Sequence, residues 1–346
     1  MSGGVDSSVA AAVLKEAGYD VIGATMKIWP KESCGQEKEK SCCSLKDIED
    51  ARKVSRELDI RHYVLNLEAE FRKNVIDYFI DEYLSARTPN PCIVCNEKIK
   101  FGSLLKKAEA LGCDFIATGH YARIDVNGAC RLREAVDKTK DQSYVLFCLK
   151  QSQLKKILLP IGGLTKNEVR GKAKELGLKI HDKPDSQEIC FVPDNNYAGF
   201  IKKYRNIKPW KGDIVDKSGN ALGNHAGFWN FTIGQRRGLG IAHKEPLYVI
   251  GVKPEHNIVI AGTSEDVKKK SFLVKKVNWL TDVPEKELEV KIRYNHKKAP
   301  ASIKDLAGNK AEVVFKDPQN AITPGQAAVF YDGEYVSGGG WIDKVL

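Results

Sequence analysis

Residues 2–8 read Ser-Gly-Gly-Val-Asp-Ser-Ser and lead into an Ala- and Val-rich stretch at 9–17 whose helical spacing stops at Gly18. The two glycines permit the positive φ values of a tight turn, so successive backbone N–H groups can converge on an anion. The positive end of the following helix and the serine hydroxyls favour the same ligand. No Gly-Lys-Thr follows, which excludes a Walker A loop. The stretch therefore predicts a phosphate-binding loop rather than a plain glycine turn, with Asp6 capping the helix or holding Mg²⁺.

The first part of the chain alternates short apolar runs with helical patterns. Strand-like runs at 20–28, 62–67 and 115–118 are separated by amphipathic stretches at 45–58, 70–86 and 101–111. This rhythm predicts an α/β domain with a doubly wound, mostly parallel nucleotide-binding sheet. Such sheets bind ligands at the carboxyl ends of their strands. A phosphate loop of this kind also needs a buried strand behind it, so either the true start lies upstream of Met1 or the sheet lacks that strand.

Past about residue 200 the pattern becomes that of β structure. Alternating or apolar runs occur at 247–252, 258–261, 272–280, 288–294, 311–315 and 327–331, and Asp332-Gly333 is typical of a two-residue hairpin. We expect three domains: an α/β catalytic domain over 1–195, a small central domain over 196–268, and an antiparallel β barrel over 269–346.

Composition narrows the class of protein. The chain has 346 residues, 42% hydrophobic and 29% charged, without an apolar run near the roughly 20 residues of a membrane span. The first residues do not resemble a secretory signal, so we expect a cytoplasmic protein that does not contact a membrane. Nine cysteines then indicate thiols, metal ligands or catalytic groups rather than a disulfide framework.

The positive charge is uneven. Residues 1–200 carry 31 Lys and Arg against 29 Asp and Glu, whereas residues 201–346 carry 24 against 16. A basic part joined to a nearly neutral part is typical of a polyanion-binding module on an enzyme, although a solvated Lys-rich surface has the same composition.

Two segments carry cysteines in a distinctive setting. Residues 88–96 read Thr-Pro-Asn-Pro-Cys-Ile-Val-Cys-Asn, in which two prolines stiffen the backbone around Asn90. Cys92 and Cys95 form a C-x-x-C that fits buried thiols, a redox pair, half a zinc site or part of an Fe–S site. Cys190 ends the third segment of interest, Asp-Ser-Gln-Glu-Ile-Cys at 185–190, but a single cysteine is more often a small buried hydrophobe.

Taken together, these segments resemble the bacterial tRNA-specific 2-thiouridylases, which belong to the pyrophosphate-loop ATP pyrophosphatases and place sulfur on uridine 34 of certain tRNAs. The resemblance covers the whole length. Its landmarks are SGGVDSS at 2–8, TPNPxxxCNxxIKF at 88–101, ATGHYAR at 117–123, KDQSY at 140–144, DSxxICF at 185–191, GQRRGLGI at 234–241, TPGQ at 323–326 and GGG at 338–340.

The resemblance implies roles for particular residues. Cys95 would be catalytic and Cys190 would carry persulfide sulfur, the two forming a disulfide that a reductant reopens. ATP contacts would come from Met1, Ser2, Gly3, Gly4, Val5, Asp6, Ser7, Met26 and Gly119, with Mg²⁺ as cofactor. Contacts to tRNA would come from Asn90, Pro91, Cys92, Lys140, Asp141, Gln142, Arg293 and Tyr294. The implied partners are the tRNA anticodon loop and a sulfur donor such as a cysteine desulfurase relay, and the implied state is a monomer.

One position departs from the family. Where many members carry an aspartate thought to act as a general acid or base, this chain has Cys92. Three thiols, Cys92, Cys95 and Cys190, could ligate a [4Fe–4S] cluster, or Cys92 could be a spectator to the persulfide route. The roles of Cys34, Cys42 and Cys43 stay open. The rival functions are another adenylating enzyme, such as a 4-thiouridine or lysidine synthase or a small-molecule ligase, and a catalytically inactive RNA-binding protein.

Overall fold

The computed structural model describes residues 1–28, 45–184, 189–192, 195–283 and 287–346. Cys34, Cys42, Cys43 and residues 185–188 lie outside these ranges. The chain forms two compact units. The first comprises Met1–Ile76, Cys92–Asn195 and Glu334–Val336, and the second comprises Asp77–Pro91, Asn196–Gly333 and Ser337–Leu346. Within the described ranges, none of the helices combines the length and the apolarity that crossing a bilayer requires.

The elements follow in chain order. The helices are α1 (Val5–Glu16), α2 (Leu45–Glu57), α3 (Glu68–Phe71), α4 (Asp77–Leu84), α5 (Pro91–Val94), α6 (Leu105–Ala110), α7 (Gln151–Leu154), α8 (Lys166–Glu175), α9 (Tyr197–Tyr204) and α10 (Ser264–Val267). The strands are β1 (Ile22–Lys27), β2 (Arg61–Asn66), β3 (Ile116–Ala117), β4 (Ala122–Asn127), β5 (Ala129–Glu134), β6 (Ile157–Leu158), β7 (Gly212–Val215), β8 (Ala221–His225), β9 (Tyr248–Lys253), β10 (Ile258–Gly262), β11 (Lys268–Trp279), β12 (Leu288–Lys291), β13 (Ala299–Leu306), β14 (Lys310–Asn320), β15 (Ala327–Asp332) and β16 (Tyr335–Val345).

The first unit contains the predicted parallel pairing. β1 pairs with β2 in parallel, from Ile22 opposite Arg61 to Lys27 opposite Asn66, and β3 pairs in parallel with β6. Helix α1 buries its apolar face in a core that it shares with α8 and the start of β4, through Val5, Val9, Val169 and Tyr121. The prediction of a parallel α/β nucleotide-binding fold is confirmed.

The helix predicted over 70–86 is divided. A π-helical segment, Arg72–Ile76, separates α3 from α4, and a second one, Cys95–Leu104, precedes α6. Each π turn holds more residues than an α turn and so rotates the side chains that follow. The second π segment begins at Cys95 itself, so the predicted helix over 101–111 is the continuation of a longer helical stretch.

The first unit also contains an antiparallel hairpin that the sequence pattern does not predict. β4 and β5 pair from Ala122 opposite Glu134 to Asn127 opposite Ala129, around a turn at Gly128 with a φ of +81°. Tyr335 extends this pairing opposite Arg133, which explains why residues 334–336 belong to this unit.

The second unit contains the two predicted β modules. β7–β10 form a four-stranded sheet in the order β8-β7-β10-β9. The C-terminal strands follow the order β11-β14-β13-β12-β15-β16, and β11 also pairs with β16, so the barrel is closed and antiparallel as predicted. Its core is apolar and fully buried, and includes Phe272, Val290, Val313, Phe315 and Phe330.

One predicted strand is shorter than expected. The run at 288–294 is a strand only to Lys291, because a turn closed by a hydrogen bond from His296 N to Arg293 O (3.0 Å) follows it. Arg293 and Tyr294 therefore lie in a turn rather than on a strand. β7, β8, β13 and β16 are further strands that the sequence pattern does not predict.

The glycine of the TPGQ segment should be far more sensitive to substitution than other left-handed glycines of the barrel. Gly325 has a φ of +92°, and a Cβ there would lie 2.8 Å from both Thr88 N and Thr88 O. Gly308 has a φ of +78° with open space around it. We expect Gly308→Ala to cost about 1 kcal/mol from the backbone alone and Gly325→Ala about 2–3 kcal/mol. Urea unfolding measures both, and equal losses would contradict the contact.

Candidate functional site

The predicted phosphate loop is a tight turn that only glycine can make. Gly3 has a φ of +68°, and a Cβ at this position would lie 2.4 Å from the carbonyl oxygen of Asp47. Gly4 then takes an extended conformation as the N-cap of α1. The loop thus leads directly into the helix N-terminus, whose unpaired N–H groups and positive dipole end favour an anion.

Serine hydroxyls cross-link the loop. Ser7 Oγ accepts a hydrogen bond from Ser2 N (3.1 Å) and lies 3.2 Å from Ser2 Oγ. The buried Ser8 donates its hydroxyl to Gly4 O (2.9 Å). The Ser7 hydroxyl also lies 3.2 Å from Gly4 O, so Ser7 and Ser8 both fix the turn, and Ser2 is the exposed serine of the three.

Asp6 has a fixed orientation in the first turn of α1. Its Oδ1 accepts hydrogen bonds from Tyr121 Oη and from Lys166 Nζ, both at 2.7 Å. Tyr121 and Lys166 are buried, and neither was assigned a role from the sequence. Within the described part of the chain no hydrogen bond ends on Oδ2, so this oxygen is available to a cation such as Mg²⁺.

Lys183 supports the loop from the other side. Its Nζ donates to Gly3 O (3.0 Å), Asp47 Oδ1 (2.7 Å) and Asp50 Oδ2 (2.9 Å). Although partial burial works against the charge, the two carboxylates hold the pKa of Lys183 above its ordinary value. A lysine that stays charged next to Gly3 adds to the positive potential of the loop.

Of the other two predicted ATP contacts, Gly119 lies just after β3 and Met26 lies within β1. A Cβ on Gly119 would lie 2.7 Å from Ser7 N, so the turn after β3 packs directly on the first turn of α1. Met26 is the next-to-last residue of β1, and the preceding Thr25 donates its hydroxyl to Met1 O (2.7 Å). Met1 also bonds through its amino group to Ala24 O, so the start of the loop is fastened to β1.

The cysteines of interest differ in exposure. Cys92 is exposed on α5, whereas Cys95 and Cys190 are half-buried. Helix α3 contacts the π segment that begins at Cys95, and Phe71 of the same helix packs edge-on against Phe191, next to Cys190 (centroids 5.8 Å apart). One short helix therefore supports both cysteine segments. Among the described residues, no three His, Cys, Asp or Glu side chains form a group that could hold a metal ion.

A further thiol lies beneath α5. Cys148 Sγ is 3.8 Å from Ile93 O, and burial, followed by the charge of Glu97, raises the pKa of this thiol far above its ordinary value. Because the thiolate is the reactive form, this raised pKa disfavours reaction at Cys148. Nearby, Asn96 is buried and donates through Nδ2 to Val145 O (3.1 Å), which fixes the residue after Cys95.

Two sequence motifs of the second unit meet each other. Thr88 N donates to Pro324 O (2.9 Å), and Gln326 Nε2 donates to Thr88 O (3.2 Å) and Pro89 O (3.1 Å). The TPGQ segment therefore holds the TPNP segment that contains Asn90 and the buried Pro91. Asn90 is half-buried.

The 140–142 segment folds back on its own unit. Asp141 is buried and its carboxylate accepts hydrogen bonds from Ala135 N (2.9 Å) and Ser143 Oγ (2.8 Å). Burial raises the pKa of Asp141. Gln142 Oε1 accepts from Tyr121 N (3.0 Å). These bonds favour a positioning role for Asp141 and Gln142, and leave Lys140 as the partly exposed cation of the segment.

The predicted RNA contacts of the barrel lie in the turn after β12. Arg293 donates through Nη2 to Asn320 O (3.0 Å), and the exposed Tyr294 ring lies 5.5 Å from Lys291 Nζ. The turn thus combines fixed cations with an exposed ring, which suits an RNA backbone and a base or ribose.

Three protein-family models match successive segments of the chain. The tRNA methyl transferase HUP domain family matches residues 1–194, the tRNA methyl transferase PRC-barrel domain family matches 198–263, and the aminomethyltransferase β-barrel domain family matches 269–342. The chain is therefore a nucleotide-binding HUP-domain protein with two β modules.

Full-length relatives narrow the class further. Proteins named tRNA-specific 2-thiouridylase MnmA align over 100% of this chain at 52% identity in Geotalea uraniireducens and 50% in Clostridioides difficile, covering 94% and 97% of those proteins. The one from Halothermothrix orenii is 52% identical over 99% of this chain and 98% of its own length. The chain belongs to the tRNA-specific 2-thiouridylase family.

Gly3 should be indispensable to the loop for steric reasons. We expect Gly3→Ala to reduce ATP affinity at least tenfold, because the new Cβ would displace the loop from Asp47 O. The matched control is Gly18→Ala, which has a φ of +86° and open space around it, and should change only stability. Calorimetric titration with ATP measures both variants. Unchanged affinity in Gly3→Ala would remove this turn from the nucleotide site.

His120 should make the first unit sensitive to mild acid. It is buried, it accepts a hydrogen bond from Lys100 Nζ (3.3 Å), and its Nδ1 lies 2.7 Å from Thr118 Oγ1. Burial and then the charge of Lys100 hold the pKa of His120 well below 6.5. The unfolded chain therefore takes up a proton that the folded chain refuses as the pH falls below 6.5.

The wild type should lose stability relative to His120→Gln as the pH is lowered. Between pH 6.5 and about 5.5, the difference between the two free energies of unfolding should move by about 1 kcal/mol against the wild type. Denaturant unfolding at each pH gives the values, and the other histidines cancel in the difference. Parallel curves for the two proteins would show that folding does not lower the pKa of His120.

Proposed function

We propose that this protein catalyses the ATP-dependent 2-thiolation of uridine 34 in tRNA. The observation that carries the proposal is a glycine turn against Asp47, with an oriented Asp6, in the same unit as two cysteine segments supported by α3. Relatives of about half identity that carry the name tRNA-specific 2-thiouridylase support the substrate.

The first half-reaction is adenylation. Uracil C2 is a poor electrophile with a poor leaving oxygen, so the O2 atom attacks the α-phosphate of ATP and releases pyrophosphate. The N–H groups at the start of α1 and the hydroxyls of Ser2 and Ser7 would bind the departing phosphates. Asp6 would hold Mg²⁺ through Oδ2, while Lys166 and Tyr121 keep its carboxylate oriented.

The second half-reaction transfers sulfur. The terminal sulfur of a Cys190 persulfide attacks C2 and displaces AMP, which leaves the uridine joined to Cys190 through a disulfide. The Cys95 thiolate then attacks Cys190 Sγ, which forms a Cys95–Cys190 disulfide and leaves the sulfur on C2. A thiol reductant returns the two electrons that reopen this disulfide, and a donor protein restores the persulfide.

The substrate base would enter beside the TPNP segment. We infer that Asn90, Pro91 and Cys92 face the uracil, and that Lys140, Arg293 and Tyr294 contact the anticodon stem and loop. Anticodon bases are single-stranded and easily unstacked, which suits a reaction on O2 and C2.

A [4Fe–4S] cluster is the alternative carrier of sulfur. It would need Cys92, Cys95 and Cys190 as three ligands. In the described residues these thiols do not form a metal-binding group, so the observation favours the persulfide. Cys92 would then be a spectator in place of the family's aspartate.

Cysteine variants separate the two half-reactions. Cys95→Ser and Cys190→Ser should each lower 2-thiouridine formation at least a thousandfold while tRNA-dependent pyrophosphate release continues, because neither thiol is needed for adenylation. Cys148→Ser, a change at a thiol whose pKa desolvation raises, should lower activity only through stability. Nucleoside mass spectrometry and a pyrophosphate assay give the two rates. Thiolation that persists in Cys190→Ser would contradict the persulfide route.

Cys92→Ala distinguishes the two sulfur carriers in anaerobically purified protein. The persulfide route predicts colourless protein whose variant thiolates tRNA at nearly the wild-type rate. Brown absorbance that disappears in Cys92→Ala, with thiolation from free sulfide, would establish the cluster instead. Formation of methylated or lysine-modified nucleosides would refute the reaction class altogether.

A further inference from the structure

The second unit carries a basic loop for which the proposed reaction has no use. The loop spans residues 236–244, reads Arg-Arg-Gly-Leu-Gly-Ile-Ala-His-Lys, and precedes β9. It is called the RRG loop below. Arg236, Arg237, His243 and Lys244 are all exposed. It lies within the GQRRGLGI segment at 234–241, far along the chain from every residue assigned above to ATP or sulfur.

The RRG loop is held in one shape by its own hydrogen bonds. Gly234 N donates to Val249 O (2.8 Å) and Val249 N donates to Gln235 O (2.9 Å), which fastens the start of the loop to β9. Gln235 Oε1 accepts from Thr232 N (3.0 Å), and its Nε2 donates to Arg237 O (3.0 Å). The arginine pair is thus presented by a fixed backbone, which lowers the entropy cost of binding.

Two glycines and one leucine shape the tip. Gly238 and Gly240 have φ values of +84° and +67°, and the open space around Gly240 lets a ligand approach the backbone closely. Leu239 between them is buried and anchors the tip. Except for Arg237 and Ala242, the residues of the RRG loop line an open cavity of about 380 Å³ together with Glu245, Pro246 and Leu247.

The charge of the RRG loop is not neutralised. In the described ranges, no carboxylate forms an ion pair with Arg236, Arg237 or Lys244. Glu245, the acidic residue of the cavity lining, donates its N–H to His243 Nδ1 (3.2 Å). In the first unit, by contrast, Arg133 and Lys138 are paired with Glu334 (2.6 and 2.7 Å). Unpaired guanidinium groups on a rigid concave loop attract phosphates, for which their geometry is suited.

The chemistry of the lining favours a polymer backbone over a base. The cavity has no Phe, Tyr, Trp, Asn or Gln side chain in its lining, and the polar side chains there are those of Arg236, His243, Lys244 and Glu245. Its cations are spread over nine residues of an open surface rather than converging on one small anion. Phosphodiester groups along a nucleic-acid strand fit this spacing and openness.

We propose that the RRG loop binds phosphates of the tRNA backbone and so makes the central β module a second, sequence-independent RNA contact. The inference rests on the proposed function, because it takes tRNA as the substrate. Backbone contacts fix the position and register of an RNA without reading its sequence, so the loop would serve every tRNA substrate alike.

The test compares charge-matched variants in the full-length protein. Arg236→Gln with Arg237→Gln removes two charges from the RRG loop. Lys106→Gln with Lys107→Gln removes two exposed charges from α6 and serves as the control. Binding of unmodified substrate tRNA is measured by filter binding from 50 to 200 mM salt, together with the affinity for ATP and the thermal midpoint.

We expect the loop variant to raise the Kd for tRNA roughly tenfold or more and to lower the slope of log Kd against log salt by about two. Its ATP affinity and thermal midpoint should match those of the control. A loop variant that binds tRNA like the control would overturn the inference. So would calorimetric titration that shows tight binding of inorganic phosphate, lost in the loop variant, with no change in tRNA affinity.

The wild type keeps the two proposals separate. If the wild type thiolates tRNA but the loop variant binds it normally, only the RRG loop assignment fails. If the wild type binds tRNA through the RRG loop but forms no 2-thiouridine, the proposed reaction fails and the RNA contact stands.

Discussion

The close approach of Gly3 to the carbonyl oxygen of Asp47 is the constraint on which the first unit depends. Because glycine has no side chain, residue 3 can approach Asp47 closely and the loop can turn sharply enough to lead into α1. The same contact brings Asp47 and Asp50 to Lys183, whose ammonium group in turn bonds to Gly3 O. Helix α2, the loop and Lys183 are thereby joined by one short hydrogen-bond network. Lys183 lies seven residues before Cys190 in the sequence.

Local patterns were enough to predict most of the architecture. Apolar runs of strand length between amphipathic stretches predict β1, β2 and β3, and alternating runs predict the barrel, whereas β6, the parallel partner of β3, has no such signal. The turn at Gly3 and Gly4 could be predicted because glycine is the residue that most readily adopts a positive φ, as Gly3 does. These features are decided by residues close together in the sequence, where side-chain periodicity and turn chemistry act.

Contacts between distant residues could not be predicted in this way. Lys166 meets Asp6 across 160 residues, and Gln326 meets Thr88 across 238. The sequence around Lys166 or Gln326 does not indicate whether the side chain faces solvent or a distant partner. The strand predicted over 288–294 is too long for a related reason. It ends at Lys291, where a turn begins that is closed by a hydrogen bond from His296 N to Arg293 O. The residue types alone do not predict this bond.

The surroundings of Cys148 distinguish it from the cysteines assigned to sulfur transfer. Cys148 lies only a few residues beyond the 140–144 motif, its Sγ lies 3.8 Å from Ile93 O, and desolvation of the thiol raises its pKa. Cys92 and Cys95, on the helical stretch above it, keep access to solvent. A reaction that moves sulfur between thiols needs thiolates that can meet an outside donor and reductant, and it is harmed by a third reactive thiol that captures the disulfide. Cys148, whose Sγ contacts Ile93 O under α5, therefore competes less for sulfur than the exposed Cys92 would.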